Sequence, residues 1–359
     1  MIEAVTEADW PAQFRPVLRK LVAEGRQYFG SDRIAVEPVR QVERPFSTLL
    51  QIRVAEANRP QTITDAFVKI LKPRADTPAQ IESMRQNVVR DFEVTSRIQE
   101  GLAVYPGLTA VRPIACFPEE LAIVTERARG ATLSDLLARG AAGWPGTRTM
   151  DALISILRQV GAWLRAAQSA FPQEGTISHA SIAAYQAKRL DDLEASGSVR
   201  LTHEGRATLE TYRNGLFARI PDELTPVWIH ADFCPENIIA REGGVTVLDF
   251  TMAKSGTLYT DLAHLYLRLD AMKAKPWFRP HVVDRLQQAL LDAFEPGLGP
   301  SRPLFALMLL QHVLCHLVEL REPSGSTVAR LYNARLHQRH REWLRRVVGM
   351  DERSWRQRH

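Results

Sequence analysis

Residues 230–237 read HADFCPEN, and residues 247–250 read VLDF. The first stretch sets a carboxylate, Asp232, and a carboxamide, Asn237, in one loop behind His230. The second places Asp249 at the end of a short apolar run, VTVLDF. A carboxylate there is poorly placed for folding alone, because a buried acid needs a partner. Two acids and an amide so arranged are equipment for phosphoryl transfer. One acid orients an acceptor hydroxyl, and two oxygen ligands hold Mg²⁺ against nucleotide phosphates. That chemistry also asks for a lysine from a strand and an acid from the next helix to orient it. AFVKI (66–70) supplies Lys69 between apolar neighbours, and RDFEVTSRI (90–98) supplies Glu93.

Around these residues the pattern changes along the chain. Residues 12–29 read as an opening helix. From about 34 to 71 three strand-like stretches follow, separated by the turn signals VERPF and EANRPQ. Ile81, Met84, Val88, Phe92 and Ile98 recur at near-helical spacing, which predicts a helix over 78–101. Two more strand-like stretches, LTAVRPIACF and LAIVTERA, precede Gly130. Beyond it the chain reads as mostly helical, with strand signals only around VWIHADF and VTVLDF. The expected organisation is therefore α+β, with a sheet-rich part at 1–127 and a helical part at 128–359.

At 359 residues the chain is long enough for about two domains. Cys116, Cys234 and Cys315 lie far apart and form no disulfide framework, which fits a reducing cytoplasm. MIEAVTEADW carries no secretory signal pattern. PLFALMLLQHVLCHLVEL (303–320) is interrupted by Gln311, His312, His316 and Glu319, so it predicts a buried helix and not a membrane span. Its His312, Cys315 and His316 suit zinc in principle but read as core packing, and Cys234 reads as a buried thiol filling space. The net charge of +5 is uneven: residues 330–359 hold nine Arg against three acids, a net of +6, leaving −1 for the rest.

The joint pattern of HADFCPEN, VLDF, TDLAHL and AFVKI resembles the aminoglycoside phosphotransferase and choline kinase group of the protein-kinase-like fold, over roughly residues 35 to 270. The resemblance implies a bilobal fold with a small antiparallel-sheet lobe and a larger helical lobe. It implies an ATP- and Mg²⁺-dependent kinase acting on a small-molecule hydroxyl such as a sugar or glycan, an amino alcohol or an aminoglycoside. Asp232 would be the catalytic base, and Asn237 and Asp249 the metal ligands. Lys69 would grip the nucleotide phosphates, held by Glu93. His230 would brace the loop, and Asp261 would be a structural acid at a helix start. In TERARG (125–130), backbone groups near Glu126 and Ala128 would meet adenine, while Arg127 and Arg129 are solvated or reach the nucleotide. One departure stands out. The turn QVERPFSTLL has no glycine to cover the phosphates, leaving Ser47 and Thr48 as donors. A nucleotide-binding pseudokinase or assembly protein is the alternative reading.

Tyr332, Leu336, Trp343 and Val347 share one helical face, and Arg330, Arg335, Arg339, Arg341, Arg345 and Arg346 crowd the other directions. This predicts a packed final helix with a basic outer face. The same face could meet an anionic membrane or glycan, which would put a cytoplasmic protein at the inner face of a membrane. No motif supports nucleic-acid binding.

Overall fold

The computed structural model describes residues 9–56, 59–73, 77–195, 201–320, 326–351 and 354. The start of the chain, read above for a signal pattern, and Arg353, Arg356 and Arg358 of the tail lie outside them. The chain divides into two compact units. The first is Met1–Gly130 with Thr246–Met252, and the second is Ala131–Val245 with Ala253–His359. The boundary falls at Gly130 instead of 127/128, and the segment carrying Asp249 groups with the first unit.

The first unit is built on β1 (Ile34–Glu43), β2 (Ser47–Glu56) and β3 (Arg59–Leu71). Helix α2 (Pro78–Gly101) follows the opening helix α1 (Arg15–Ala23) and the strands. Then come β4 (Pro113–Phe117) and β5 (Ala122–Glu126), giving an antiparallel sheet in the order β1-β2-β3-β5-β4. Side chains alternate across a strand. Ala66 and Val68 therefore enter a core with Leu50, Ile52, Val54 and Val124, closed by Trp10, Phe14, Val17, Leu18 and Leu21. Lys69, the residue after Val68, therefore faces the other side of the sheet. In register, Lys69 pairs with Leu49 on β2 and Ile123 on β5, which fixes it mid-sheet.

Helix α2 starts at a threonine cap: the Thr77 hydroxyl accepts from the Gln80 amide, and Pro78 occupies the first turn. Its buried positions are Val88, Asp91, Thr95 and Ile98, steps of three and four that make one face. An acid thus sits inside the buried stripe.

The second unit is mainly helical. Helix α3 (Thr147–Ala170) buries Leu157, Val160, Trp163 and Leu164. Strands β6 (Val227–Ile229), β7 (Ile238–Arg241) and β8 (Gly244–Val247, whose end joins the first unit) bracket the loop of interest. They are followed by α4 (Thr260–Ala271), α5 (Pro280–Phe294), α6 (Pro303–Glu319) and α7 (Thr327–Trp343). Gly161 on α3 lies against α5, where an added Cβ would stand 2.5 Å from the Leu290 carbonyl oxygen. A side chain at that crossing would push the helices apart.

Helix α6 is buried on most of its circumference, as its composition predicts, and among the described residues no helix is long and apolar enough to cross a membrane. Its polar residues part company. The His312 ring contacts the Thr260 carbonyl oxygen at 2.9 Å and stacks on His264, their ring centres 5.0 Å apart. His316 hydrogen-bonds His340 of α7 at 3.0 Å, and Cys315 contacts the Tyr185 hydroxyl at 3.7 Å. Among the described residues no three His, Cys, Asp or Glu side chains are grouped to hold a metal ion.

Burial pushes these rings down, to about 4 for His312 and His316 and about 3 for His340. An unfolded histidine takes its proton near pH 6.5. Between pH 6.5 and 4 the unfolded chain therefore binds more protons than the folded one. Stability is lost as pH falls through that window, by roughly 1–2 kcal/mol per histidine at pH 5. Thermal melts from pH 7.5 to 5 should show the midpoint dropping, and His340→Gln should flatten the slope. A midpoint unchanged down to pH 5 would contradict the neutral, buried assignment.

Candidate active site

In the first unit, the Lys69 ammonium lies 2.9 Å from Asp249 Oδ1, and both side chains are only partly exposed. The Thr251 hydroxyl is 2.8 Å from the same oxygen and 2.9 Å from Asp91 Oδ2. Asp249 has a φ of 62°, a left-handed conformation that a non-glycine residue adopts at some cost. The chain thus spends conformational energy to turn this carboxylate toward Lys69. Burial pushes the Asp91 carboxyl above its ordinary range, and the Lys69 charge pulls against it. One hydroxyl proton cannot be donated to two carboxylates at once. The Thr251 hydroxyl therefore bridges the two acids, donating to one or the other.

The α2 acid in this network is Asp91 and not Glu93. Glu93 is exposed, and lines a shallow surface depression with Glu82, Arg85 and Arg90. Two residues along a helix is about 200° of rotation, so the two acids face opposite ways.

The glycine-free turn between β1 and β2 is pinned at both ends. The Arg44 amide donates to the Ser47 carbonyl oxygen at 2.9 Å, and the Lys72 amide to the Phe46 carbonyl oxygen at 2.9 Å. The Lys72 ammonium pairs with Glu43, and the Thr48 hydroxyl donates to the same carboxylate at 3.0 Å. Lys72 first, then Gln41 and Thr48, hold the Glu43 carboxyl down near 2. Thr48 is buried and its hydroxyl is committed to Glu43, so it is not presented as a phosphate donor. Ser47 is buried at the start of β2, opposite Leu71. In the linker, the Glu126 amide donates to the Arg112 carbonyl oxygen at 2.8 Å. Only its carbonyl is left to meet a purine base. Ala128 is half-buried beyond it. Arg127 is tied to Asp65, by its amide at 2.9 Å and its guanidinium at 3.1 Å.

In the second unit, β6 delivers the chain into His230–Asp232. Asn237 Nδ2 donates to Asp232 Oδ2 at 2.9 Å and to the Asp232 carbonyl oxygen at 3.0 Å. This turns the amide oxygen of Asn237 away from Asp232, where a hard cation can use it. The Asp232 amide donates to His230 Nδ1 at 3.3 Å. Asp261, in the first turn of α4, accepts from the His230 amide at 2.7 Å and the Ala231 amide at 2.9 Å. It is 1% exposed. Burial pushes its carboxyl up, against the pull of His230 and those two donors. Ala231, at φ 64°, is the residue this clamp holds in a left-handed turn.

An aromatic bed supports the loop from below. Trp163 stacks on Phe233 with ring centres 5.6 Å apart, and Trp228 meets Trp163 and His230 edge-on. Cys234 is buried, and burial raises its thiol to about 12, which makes it inert packing. Glu236 extends from the loop to Arg268 of α4 at 3.4 Å and to the Ser134 hydroxyl at 3.3 Å.

The structure thus joins Lys69 to Asp249 in one unit and Asp232 to Asn237 in the other. It sets Glu93 and Thr48 aside, and it adds Asp91 and Thr251. Asp91 was visible in the sequence as the acid in the 88-91-95-98 repeat.

Residues 62–304 match the model of the phosphotransferase enzyme family. No curated protein matches the sequence. Among solved structures, a choline/ethanolamine kinase family protein from Mesorhizobium loti is similar with a TM-score of 0.53 and 13% identity, over 92% of this chain and 94% of that one. An amicoumacin kinase in complex with AMP-PNP, Ca²⁺ and its ligand gives 0.52 and 12%, over 94% and 95%. An aminoglycoside phosphotransferase with AMP-PNP and hygromycin B gives 0.51 and 16%, over 90% and 98%. At these identities the likeness is one of fold: an antiparallel sheet followed by a helical part, as in protein kinases.

Exchanging the two α2 acids tests the assignment. Asp91→Ala should weaken nucleotide binding about tenfold, because Thr251 and Asp249 lose their buried partner. Glu93→Ala should leave it unchanged. Calorimetric titration with Mg·ATP distinguishes them, and the reverse ranking would return the role to Glu93.

Proposed function

The chain belongs to the phosphotransferase enzyme family, and from that premise we propose that it moves the γ-phosphate of ATP to a hydroxyl of a small molecule. The observation that carries this reading is the loop at 230–237: Asp232 is held by Asn237 and set on a backbone that Asp261 clamps. Such fixing is what a group that orients an attacking oxygen requires.

In this reading Asp232 accepts the hydrogen bond, and then the proton, of the acceptor hydroxyl. Lys69 leaves Asp249 for the α- and β-phosphates when the nucleotide binds. The resting Lys69–Asp249 pair keeps each charge compensated until then. Asp249 and Asn237 offer a carboxylate and an amide oxygen, hard donors that fit Mg²⁺. When bound, that ion neutralises charge on the phosphates. The pinned turn at Arg44–Phe46 replaces glycine flexibility with rigidity. Beside Asp232, Glu236 and Arg268 balance each other, which suits a neutral or singly charged alcohol better than a polycation.

Asp232→Asn should lower transfer by about 10²–10⁴-fold while ATP binding persists, since an amide cannot take the proton. A screen over sugars, amino alcohols and aminoglycosides, read by the mass of one added phosphoryl group, identifies the acceptor. Native turnover by the Asn variant would remove Asp232 from this role.

Removing the metal ligands should have graded effects. Asp249→Ala should abolish Mg²⁺-dependent nucleotide affinity, whereas Asn237→Ala should only weaken it, because the carboxylate alone neutralises charge. Equal affinity in the Asp249→Ala variant and the native protein would exclude the assignment.

A further inference from the structure

We propose that the outer face of α7 docks this protein on an anionic lipid bilayer. The helix has two faces of opposite character. On one, Leu336 and His340 are buried and Tyr332 packs beside them against Ala271, Ala274 and Leu320. On the other, Val328, Leu331, Arg335, Gln338, Glu342 and Arg345 repeat at steps of three and four, and every one of them is exposed. The stripe continues into Arg346, in the wider turn Leu344–Val348. Leu344 and Val348 of that turn enter the core, so its arginines are held outward. The basic face is narrower than the sequence suggests. Arg339 turns inward to Asp270 at 2.9 Å and takes no part in it.

Two features select the occupant. The charge is one-sided: Arg335, Arg345 and Arg346 stand against Glu342, and exposed Arg330 and Arg341 flank the stripe. That charge complements an anionic surface. At the N-terminal end of the same stripe, Val328 is 70% and Leu331 61% exposed, one turn apart. Phosphate recognition in a nucleic acid gives two aliphatic side chains nothing to enter. A bilayer interface takes both, with aliphatic groups below the headgroups and arginines reaching the phosphates. The stripe spans about 26 Å at 1.5 Å per residue, so it can lie flat on the surface. The packed inner face keeps the helix formed before it arrives. The partner is therefore a bilayer rich in anionic headgroups, bound peripherally and reversibly.

Each basic residue near such a surface contributes about fivefold in partition. The test is co-sedimentation of the full chain with vesicles of pure phosphatidylcholine and of phosphatidylcholine with about one-third phosphatidylserine. Binding should require the anionic lipid and fall steeply between 50 and 300 mM salt. Replacing the three stripe arginines (Arg335→Glu, Arg345→Glu and Arg346→Glu) should reduce it by about 10²-fold or more. The pair Val328→Ser and Leu331→Ser should reduce it roughly tenfold. All five sites are exposed, so the thermal midpoint should not move, and a matched melt verifies that. Three results would overturn the proposal. They are no binding to anionic vesicles at 50 mM salt, binding that survives both sets of substitutions, and binding to duplex RNA at least as tight as to vesicles and indifferent to Val328 and Leu331.

Discussion

Two consecutive backbone amides, those of His230 and Ala231, converge on the single buried carboxylate of Asp261. The loop that carries Asp232 and Asn237 depends on this. Ala231 sits in a left-handed conformation that an alanine does not choose unaided, and the clamp opposes its return to an extended one. Carboxylate acceptors make stronger hydrogen bonds than neutral ones, worth roughly 1.5–3 kcal/mol each. Two of them exceed the cost of one strained residue. Asp261 can do this because it sits in the first turn of α4, whose free amides favour a negative charge. The helix in turn is fixed by a buried contact, the His312 ring on the Thr260 carbonyl oxygen. The chain of dependence runs from the helical core, through α4, to the loop.

A parallel logic governs the other unit. Strand alternation turns Lys69 away from the core that Ala66 and Val68 fill. Helical spacing turns Asp91 inward beside Thr251, whose hydroxyl reaches both Asp91 and Asp249. In each unit a partly exposed acid rests on a buried one: Asp249 on Asp91 through Thr251, and Asp232 on Asp261 through the backbone. The buried acids set the positions of the exposed ones.

Much of this was legible in the sequence, because it rested on periodicity and on residue types with few other uses. HADFCPEN, VLDF and AFVKI marked Asp232, Asn237, Asp249 and Lys69, and Asp261 was expected to be a structural acid. Glu93 was expected to be the helix acid that holds Lys69. The 3.6-residue repeat instead carries Asp91 into the buried stripe with Val88, Thr95 and Ile98, so periodicity held more information than residue type. Thr48 was read as a phosphate donor from its place in the turn. Its hydroxyl goes to Glu43 across the turn, and Glu43 is itself held by Lys72, a pairing of residues 29 apart that no local pattern records. Arg339 was counted with its neighbours for the same reason, since its partner Asp270 lies on another helix. The grouping of 246–252 with the first unit is likewise a property of packing and not of chain order.

The central claim is that Asp261 imposes the geometry of the loop at 230–232, and amide hydrogen exchange of that segment tests it without any knowledge of the acceptor. In the native chain the His230 and Ala231 amides should be strongly protected. In Asp261→Asn, where one donor loses its acceptor, their protection should fall by about 30- to 150-fold while the sheet of the first unit stays unchanged. Native protection of both amides in the variant would mean that the aromatic bed alone holds the loop, and would contradict the account.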